Sequence, residues 1–283
     1  MLVNLKEMTM RAKIEKYAVP HLNINNLEWT RYILETCEEM DSPVILGVSE
    51  GATKYMGGFN VVTALVKSLI KDLNITIPVC LHLDHGSSVE SCIKAIDAGF
   101  SSVMIDASKY SLEQNIDMTN QVVSYAKKFG VSVEAEVGHI GGSEDGNESD
   151  IAYAKVEDVL RLVNETNIDI IAPALGSVHG LYKGEPKLDF NKMKEISEKT
   201  NMPLVLHGGT GIYDEQIKKA IECGISKINI NTDLQIAWSN AVRDFINTDS
   251  KEYDPRKIIG AGKEAVKEKI KEKIVLFGSN NKY

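Results

Sequence analysis

Three histidines in this chain stand where a short apolar run gives way to a turn: His85 closes VCLHLDH, His179 closes IIAPALGSVH and His207 closes PLVLH. Three imidazoles on strand ends are the donor set of a catalytic zinc site with an open fourth position, and the neighbouring Asp84 can carry a proton. An isolated histidine is more often a hydrogen-bonded core or surface group. Three at the same end of three strands are harder to assign to packing. Of the remaining three, His21 falls inside the first apolar run and His139 opens a polar loop. His82 precedes Asp84 by two, shares its face on an extended strand, and reads as a packing group or a support for the site. Asp84 and His85 are adjacent, so a regular strand points them to opposite sides. Both reach one site only if the chain bends at His85, which Gly86 permits. The alternative for Asp84 is a cap on the helix that begins near Ser88.

Carboxylates add to the pattern. VSVEAEVG places Glu134 and Glu136 on one face of a strand, and Asp106 ends the strand before it. Buried carboxylates persist only when paired, hydrogen-bonded or metal-bound. These three can bind a second cation, hold a ligand histidine in its tautomer, or form a hydrogen-bond network. Glycine-rich turns offer a further chemistry: HGGTG at 207–211 and NINTD at 229–233 follow the last two predicted strands. There Gly208 and Gly209 allow close backbone approach to a phosphate, Thr210 and Thr232 offer hydroxyls, and Lys183 adds charge from the loop after the sixth strand. A Schiff-base lysine is not apparent. Lys227 is expected at the starting end of its strand, away from the catalytic face, and Lys109 and Lys183 belong to loops.

Eight β-branched runs must position these groups, near 17–22, 43–48, 78–83, 102–105, 131–137, 168–173, 203–207 and 226–230. Amphipathic stretches such as VVTALVKSLIKDL, VESCIKAIDAG and YDEQIKKAIECG lie between them, several ending on Gly or Asn as helix stops do. Eight strand–helix alternations predict an α/β fold, a closed (β/α)8 TIM barrel, with one extra C-terminal helix from PRKIIGAGKEAVKEKIKEKIVLF. In such barrels the loops at the strands' C-terminal ends carry catalysis, and the loops after strands 7 and 8 bind phosphate. The long Gly- and acid-rich loop GHIGGSEDGNESDIAY reads as an active-site lid.

The 283 residues suit a single barrel domain spanning 1–283, with no linker in view. Charges interrupt the N-terminal MLVNLKEMTMRAKIEKYAV where a signal peptide needs an unbroken apolar segment, and no apolar run is long enough to span a bilayer. A cytoplasmic protein is expected. Cys37, Cys80, Cys92 and Cys223 have no framework spacing and read as buried thiols. A net charge of −8 argues against a nucleic-acid surface.

The segments LDHGSS, SVMIDAS, EAEVG, APALGSVHGLYKGEP, LVLHGGTGI, KININ and YDPRK resemble class II, metal-dependent fructose-bisphosphate aldolases, in particular their shorter bacterial branch. The resemblance runs from the first strand to the C-terminal FGS. It implies zinc on His85, His179 and His207, Asp84 as the acid/base at the substrate's C4 hydroxyl, and Asp106 and Glu136 at an alternative or second metal position. It also implies that Glu144, in the lid, exchanges a proton with dihydroxyacetone phosphate. Asn23, Ser49, Gly180, Lys183, Gly208, Thr210, Asn229 and Thr232 match substrate or phosphate contacts, beside a monovalent cation, Na+ or K+. Arg256 would reach the distal phosphate in a neighbouring subunit, which implies a homodimer or homotetramer.

The implied reaction is reversible cleavage of fructose 1,6-bisphosphate to dihydroxyacetone phosphate and glyceraldehyde 3-phosphate, in glycolysis and gluconeogenesis. Many relatives have aspartate at Asn231, counted here among the substrate contacts, and some have arginine at Gln235. Tagatose-bisphosphate aldolases also depart from that aspartate, so a tagatose 1,6-bisphosphate aldolase is the alternative. A zinc hydrolase or a non-catalytic binding protein on the same scaffold are the more distant ones.

Overall fold

The computed structural model describes residues 2–144, 147–149, 152–180, 182 and 184–283, without the side chains of 143, 144 and 147–149. The predicted lid acid Glu144, as a side chain, and Lys183 therefore lie outside the described residues. The first barrel strands are β1 (Val19–Asn23), β2 (Val44–Val48), β3 (Val79–Gly86), β4 (Ser102–Ile105) and β5 (Ser132–Val137). Above them lie two short strands of the loop after β5, β6 (Gly141–Glu144) and β7 (Asn147–Ser149). Then come β8 (Ile170–Pro173), the two-residue β9 (Val178–His179), β10 (Leu204–Leu206) and β11 (Ile225–Ile230).

Eight of these close a parallel barrel in the order β1-β2-β3-β4-β5-β8-β10-β11, and β6, β7 and β9 form a small sheet above it. This is the predicted (β/α)8 TIM barrel. Its strands are β-branched and buried on both faces, as in parallel sheets covered by helices.

The connections follow from local chemistry. The first helix, α1 (Leu5–Glu15), precedes the barrel; α2 (Leu27–Glu39) starts where the Asn26 side chain accepts from the Trp29 amide. The next, α3 (Glu50–Met56), starts where Ser49 accepts from the Ala52 amide, and α4 (Phe59–Asp72) completes that connection. In α5 (Val89–Ala98) the cap is Ser88 itself, which removes capping as the role of Asp84. Beyond it lie α6 (Leu112–Ala126), α7 (Val156–Glu165), α8 (Phe190–Thr200), α9 (Asp214–Glu222), α10 (Thr232–Thr248), α11 (Pro255–Gly260) and α12 (Lys263–Phe277). The segment predicted as one C-terminal helix is divided at Ala261 and Gly262 into α11 and α12, and α12 packs on α10, α2, α9 and β1.

α1 was not anticipated. Its Leu5, Met8 and Ala12 are buried with Val19, Ile45, Cys80, Ile170 and Val205 in a cluster distinct from the sheet–helix core. The helix thus plugs the N-terminal end of the barrel. Above this apolar floor the interior turns polar: His21, His82, Glu134 and Lys227 are each fully buried. Gly47 makes room for this layer, since a Cβ there would lie 2.0 Å from the His21 ring.

Gly47→Ala is therefore expected to overpack the interior and destabilise the fold by about 1–3 kcal/mol. Denaturant unfolding checks this, and an unchanged midpoint would contradict the close packing of His21 on β2.

Candidate active site

His85 and Asp84 reach the same side of the barrel because β3 carries an extra residue. Leu83 pairs with Val103 and Gly86 with Ile105, so three steps on β3 oppose two on β4. The bulge is taken up at His85, whose φ of 50° lies in the left-handed region. The bend predicted at His85 is thus present. Gly86 is needed for space instead: a Cβ there would meet the Met104 carbonyl oxygen at 2.6 Å.

The ring centroids of His85 lie 4.6 Å from those of His207 and 5.1 Å from those of His179, with His179 and His207 at 5.8 Å. One donor atom from each falls within 4.8 Å of the other two. The hydrogen bonds around the rings fix which nitrogens carry lone pairs. His85 donates from Nδ1 to Asp106 Oδ2 at 2.8 Å, and His207 from Nε2 to Glu134 Oε1 at 3.0 Å. A neutral imidazole has one N–H, so His207 Nδ1 presents its lone pair toward His85 Nε2, 2.9 Å away. Burial pushes His207 well below the ordinary imidazole value, and His179 likewise, which favours the neutral ligand form. Two ring nitrogens this close beside a third imidazole, with carboxylates behind His85 and His207, match the donor set of a divalent metal.

Carboxylates surround this centre. Asp106 also accepts from the Ser108 hydroxyl at 2.7 Å and its amide at 3.1 Å. Burial raises Asp106, but His85 and Ser108 outweigh it and hold the carboxyl well below the usual range. Glu136 accepts from the Ile140 amide at 3.2 Å, and its carboxylate groups with His85 and Asp106 within 4.8 Å. Asp84 is buried and held by two amides, Asn23 Nδ2 at 2.9 Å and Asn229 Nδ2 at 3.3 Å. Burial opposes its charge, and positive charge among the neighbouring imidazoles and on Lys227 outweighs this, holding it well below the usual carboxylate range.

Close backbone approach marks the loops around the cluster. Gly208 has φ 63°, and a Cβ would stand 2.1 Å from the Val178 carbonyl oxygen. Tyr182 ties the two loops, donating to the Gly208 carbonyl at 3.0 Å and accepting from the Val178 amide at 3.1 Å. Gly180 follows His179 with φ 84°. Thr210 is buried and accepts from the Asp233 amide at 3.3 Å, Asn231 precedes the first turn of α10, and Thr232 opens it. A cavity of about 500 Å³ opens beside Thr232, lined by Asn25, Trp29, Tyr55, Gln235 and Trp238 among others.

Other predicted residues are placed less centrally. Ser49 is occupied as the cap of α3. Arg256 is exposed on α11 and forks onto Asp254 at 2.7 Å. Lys227 corrects the sequence reading. Its side chain enters the barrel and pairs with Glu134 at 2.7 Å, fully buried. The signal was available: in ISKINI the period of two puts Lys227 on the face of Asn229. Asn229 itself does more than expected, touching both Asp84 and His207 Nδ1, the latter at 3.2 Å.

Known proteins resemble this chain along its whole length. The family model described as fructose-bisphosphate aldolase class-II matches residues 3–282. A fructose-bisphosphate aldolase of Geobacillus stearothermophilus is 57% identical over 282 residues, covering 99% of this chain and 98% of that one. One from Staphylococcus aureus strain COL is also 57% identical, at 99% of each. Among solved structures, the YdjI aldolase of Escherichia coli K12 superposes with a TM-score of 0.88 at 35% identity, over 100% of this chain and 99% of that one. A putative fructose-1,6-biphosphate aldolase from Coccidioides immitis gives 0.87 at 27% identity, over 98% and 96%. With its barrel, its imidazole triad and these full-length matches, the chain belongs to the class II fructose-bisphosphate aldolase family.

Proposed function

We propose that this chain cleaves fructose 1,6-bisphosphate reversibly to dihydroxyacetone phosphate and glyceraldehyde 3-phosphate, using zinc on His85, His179 and His207. The observation that carries the reading is the approach of His85 Nε2 and His207 Nδ1 to 2.9 Å, with a donor atom of His179 within 4.8 Å and Asp84 beside them. Full-length identity to relatives named for that sugar supports the substrate. When bound, the divalent ion supplies a Lewis acid for the ketose carbonyl, the charge stabilisation that carbon–carbon cleavage requires.

The chain's own groups supply the rest. Asp84 takes the proton of the C4 hydroxyl, its carboxylate aimed by Asn23 and Asn229. Glu144 exchanges a proton with the carbon of dihydroxyacetone phosphate from the loop after β5. Ser49, Gly180, Lys183, Gly208, Thr210, Asn229, Asn231 and Thr232 contact the substrate or its phosphate, with a monovalent cation near the phosphate. Asp106 and Glu136 offer a second metal position around His85. Arg256, exposed on α11, completes the distal phosphate site of a neighbouring subunit in a homodimer or homotetramer. The chain acts in the cytoplasm as one barrel domain. Among the described residues no helix is long and apolar enough to cross a membrane.

Chelation is expected to abolish cleavage, and added zinc to restore it. Borohydride with substrate should trap no adduct, because Glu134 occupies Lys227. Full activity in the metal-free protein, or a trapped lysine adduct, would contradict the mechanism. Asp84→Ala is expected to keep the metal and lose about 100- to 10,000-fold in kcat, the usual worth of a positioned acid/base. Wild-type turnover in that variant would remove Asp84 from its role. Parallel kinetics on the fructose and tagatose bisphosphates test the sugar, with fructose expected to give the higher kcat/KM.

A further inference from the structure

Beneath the imidazole cluster, one carboxylate joins three strands. Glu134 of β5 accepts from Lys227 of β11 through both oxygens, at 3.0 and 2.7 Å, and from His207 Nε2 of β10 at 3.0 Å. All three side chains are fully buried. In the barrel order β5 and β11 are separated by β8 and β10, so the ion pair spans the interior rather than joining adjacent strands. His82 Nε2 lies 3.6 Å from Glu134 Oε2, beyond a hydrogen bond, and His82 Nδ1 is engaged with Ser102 at 2.8 Å. Among the described residues the nearer partners of Glu134 are thus Lys227 and His207.

Burying a carboxylate alone is costly, and breaking a buried pair leaves an uncompensated charge. Lys227 allows Glu134 to remain an acceptor in this dry layer, and Glu134 can then hold one edge of the His207 ring. With Nε2–H directed down to Glu134, Nδ1 is left as the lone pair facing His85 Nε2, and the Asn229 amide donates to the same nitrogen at 3.2 Å.

We propose that Lys227 and Glu134 are positioning residues for metal binding: the pair fixes the tautomer and orientation of His207 from inside the barrel. This rests on the zinc-aldolase reading for its purpose, but its tests do not use turnover. Loss of a partner of this kind weakens metal binding about 10- to 100-fold.

Two measurements on the whole chain decide it. The first is zinc affinity by competition with a chromogenic chelator, with apoprotein thermal unfolding alongside. Glu134→Leu/Lys227→Met removes both charges and replaces them with apolar side chains, a change that buried pairs tolerate. It should fold, yet bind zinc about 10- to 100-fold more weakly. Glu134→Gln/Lys227→Met, which keeps an acceptor oxygen for His207, should recover part of the loss. Wild-type affinity in a folded Leu/Met variant would overturn the proposal and leave the pair as core filling. The second measurement needs no variant: nitrogen-15 histidine spectra of the wild-type apoprotein should show His207 protonated at Nε2 and not at Nδ1. The opposite tautomer would overturn it. A protein that binds zinc as described but cleaves no sugar bisphosphate would count against the proposed reaction and leave this inference standing.

Discussion

Imidazole rings whose far edges are held by carboxylates direct their inner nitrogens at one another, an arrangement that a cation between them stabilises. Here His85 Nε2 and His207 Nδ1 are held in that relation at 2.9 Å, because Asp106 and Glu134 engage the opposite edge of each ring. Much of the barrel serves to impose it. The bulge at His85 turns Asp84 and His85 to the same side, and the close contact of Gly208 with Val178 brings the ends of β10 and β9 together.

The interior is layered along the barrel axis. Apolar side chains around α1 close the floor. His21, His82, Glu134 and Lys227 fill the middle, and the imidazole cluster with Asp84 occupies the top. A polar middle layer is an expensive way to fill a barrel, since each buried ion carries a desolvation penalty of several kcal/mol. Its contacts indicate what offsets that penalty: the layer touches the cluster from below, Glu134 at His207 and His21 3.7 Å from Asp84. The same layer limits local substitution, because Gly47 has no room for a side chain against His21.

Sequence periodicity carried most of the architecture. Eight short β-branched runs separated by amphipathic stretches gave the strands to within a few residues, because parallel strands buried on both faces have an unmistakable composition. The histidines at 85, 179 and 207 were legible because each ends such a run, and the bend at His85 followed from needing both it and Asp84 on one side. α1 shows in the sequence only as the helical spacing of Leu5, Met8 and Ala12, three apolar residues set among charges. Lys227 stands near the starting end of its strand, yet the face it shares with Asn229 decides that it enters the barrel. What no local pattern could supply were the long-range pairings, such as Glu134 with Lys227 and His207, which depend on barrel closure across residues 134, 207 and 227.

Anomalous diffraction at the zinc edge, from crystals of the zinc-loaded protein, tests the central claim most directly. The account predicts one strong peak bonded to His85, His179 and His207 at about 2.0–2.1 Å, the usual zinc–imidazole distance. A peak elsewhere, or the three rings hydrogen-bonded to one another with no ion between them, would contradict it.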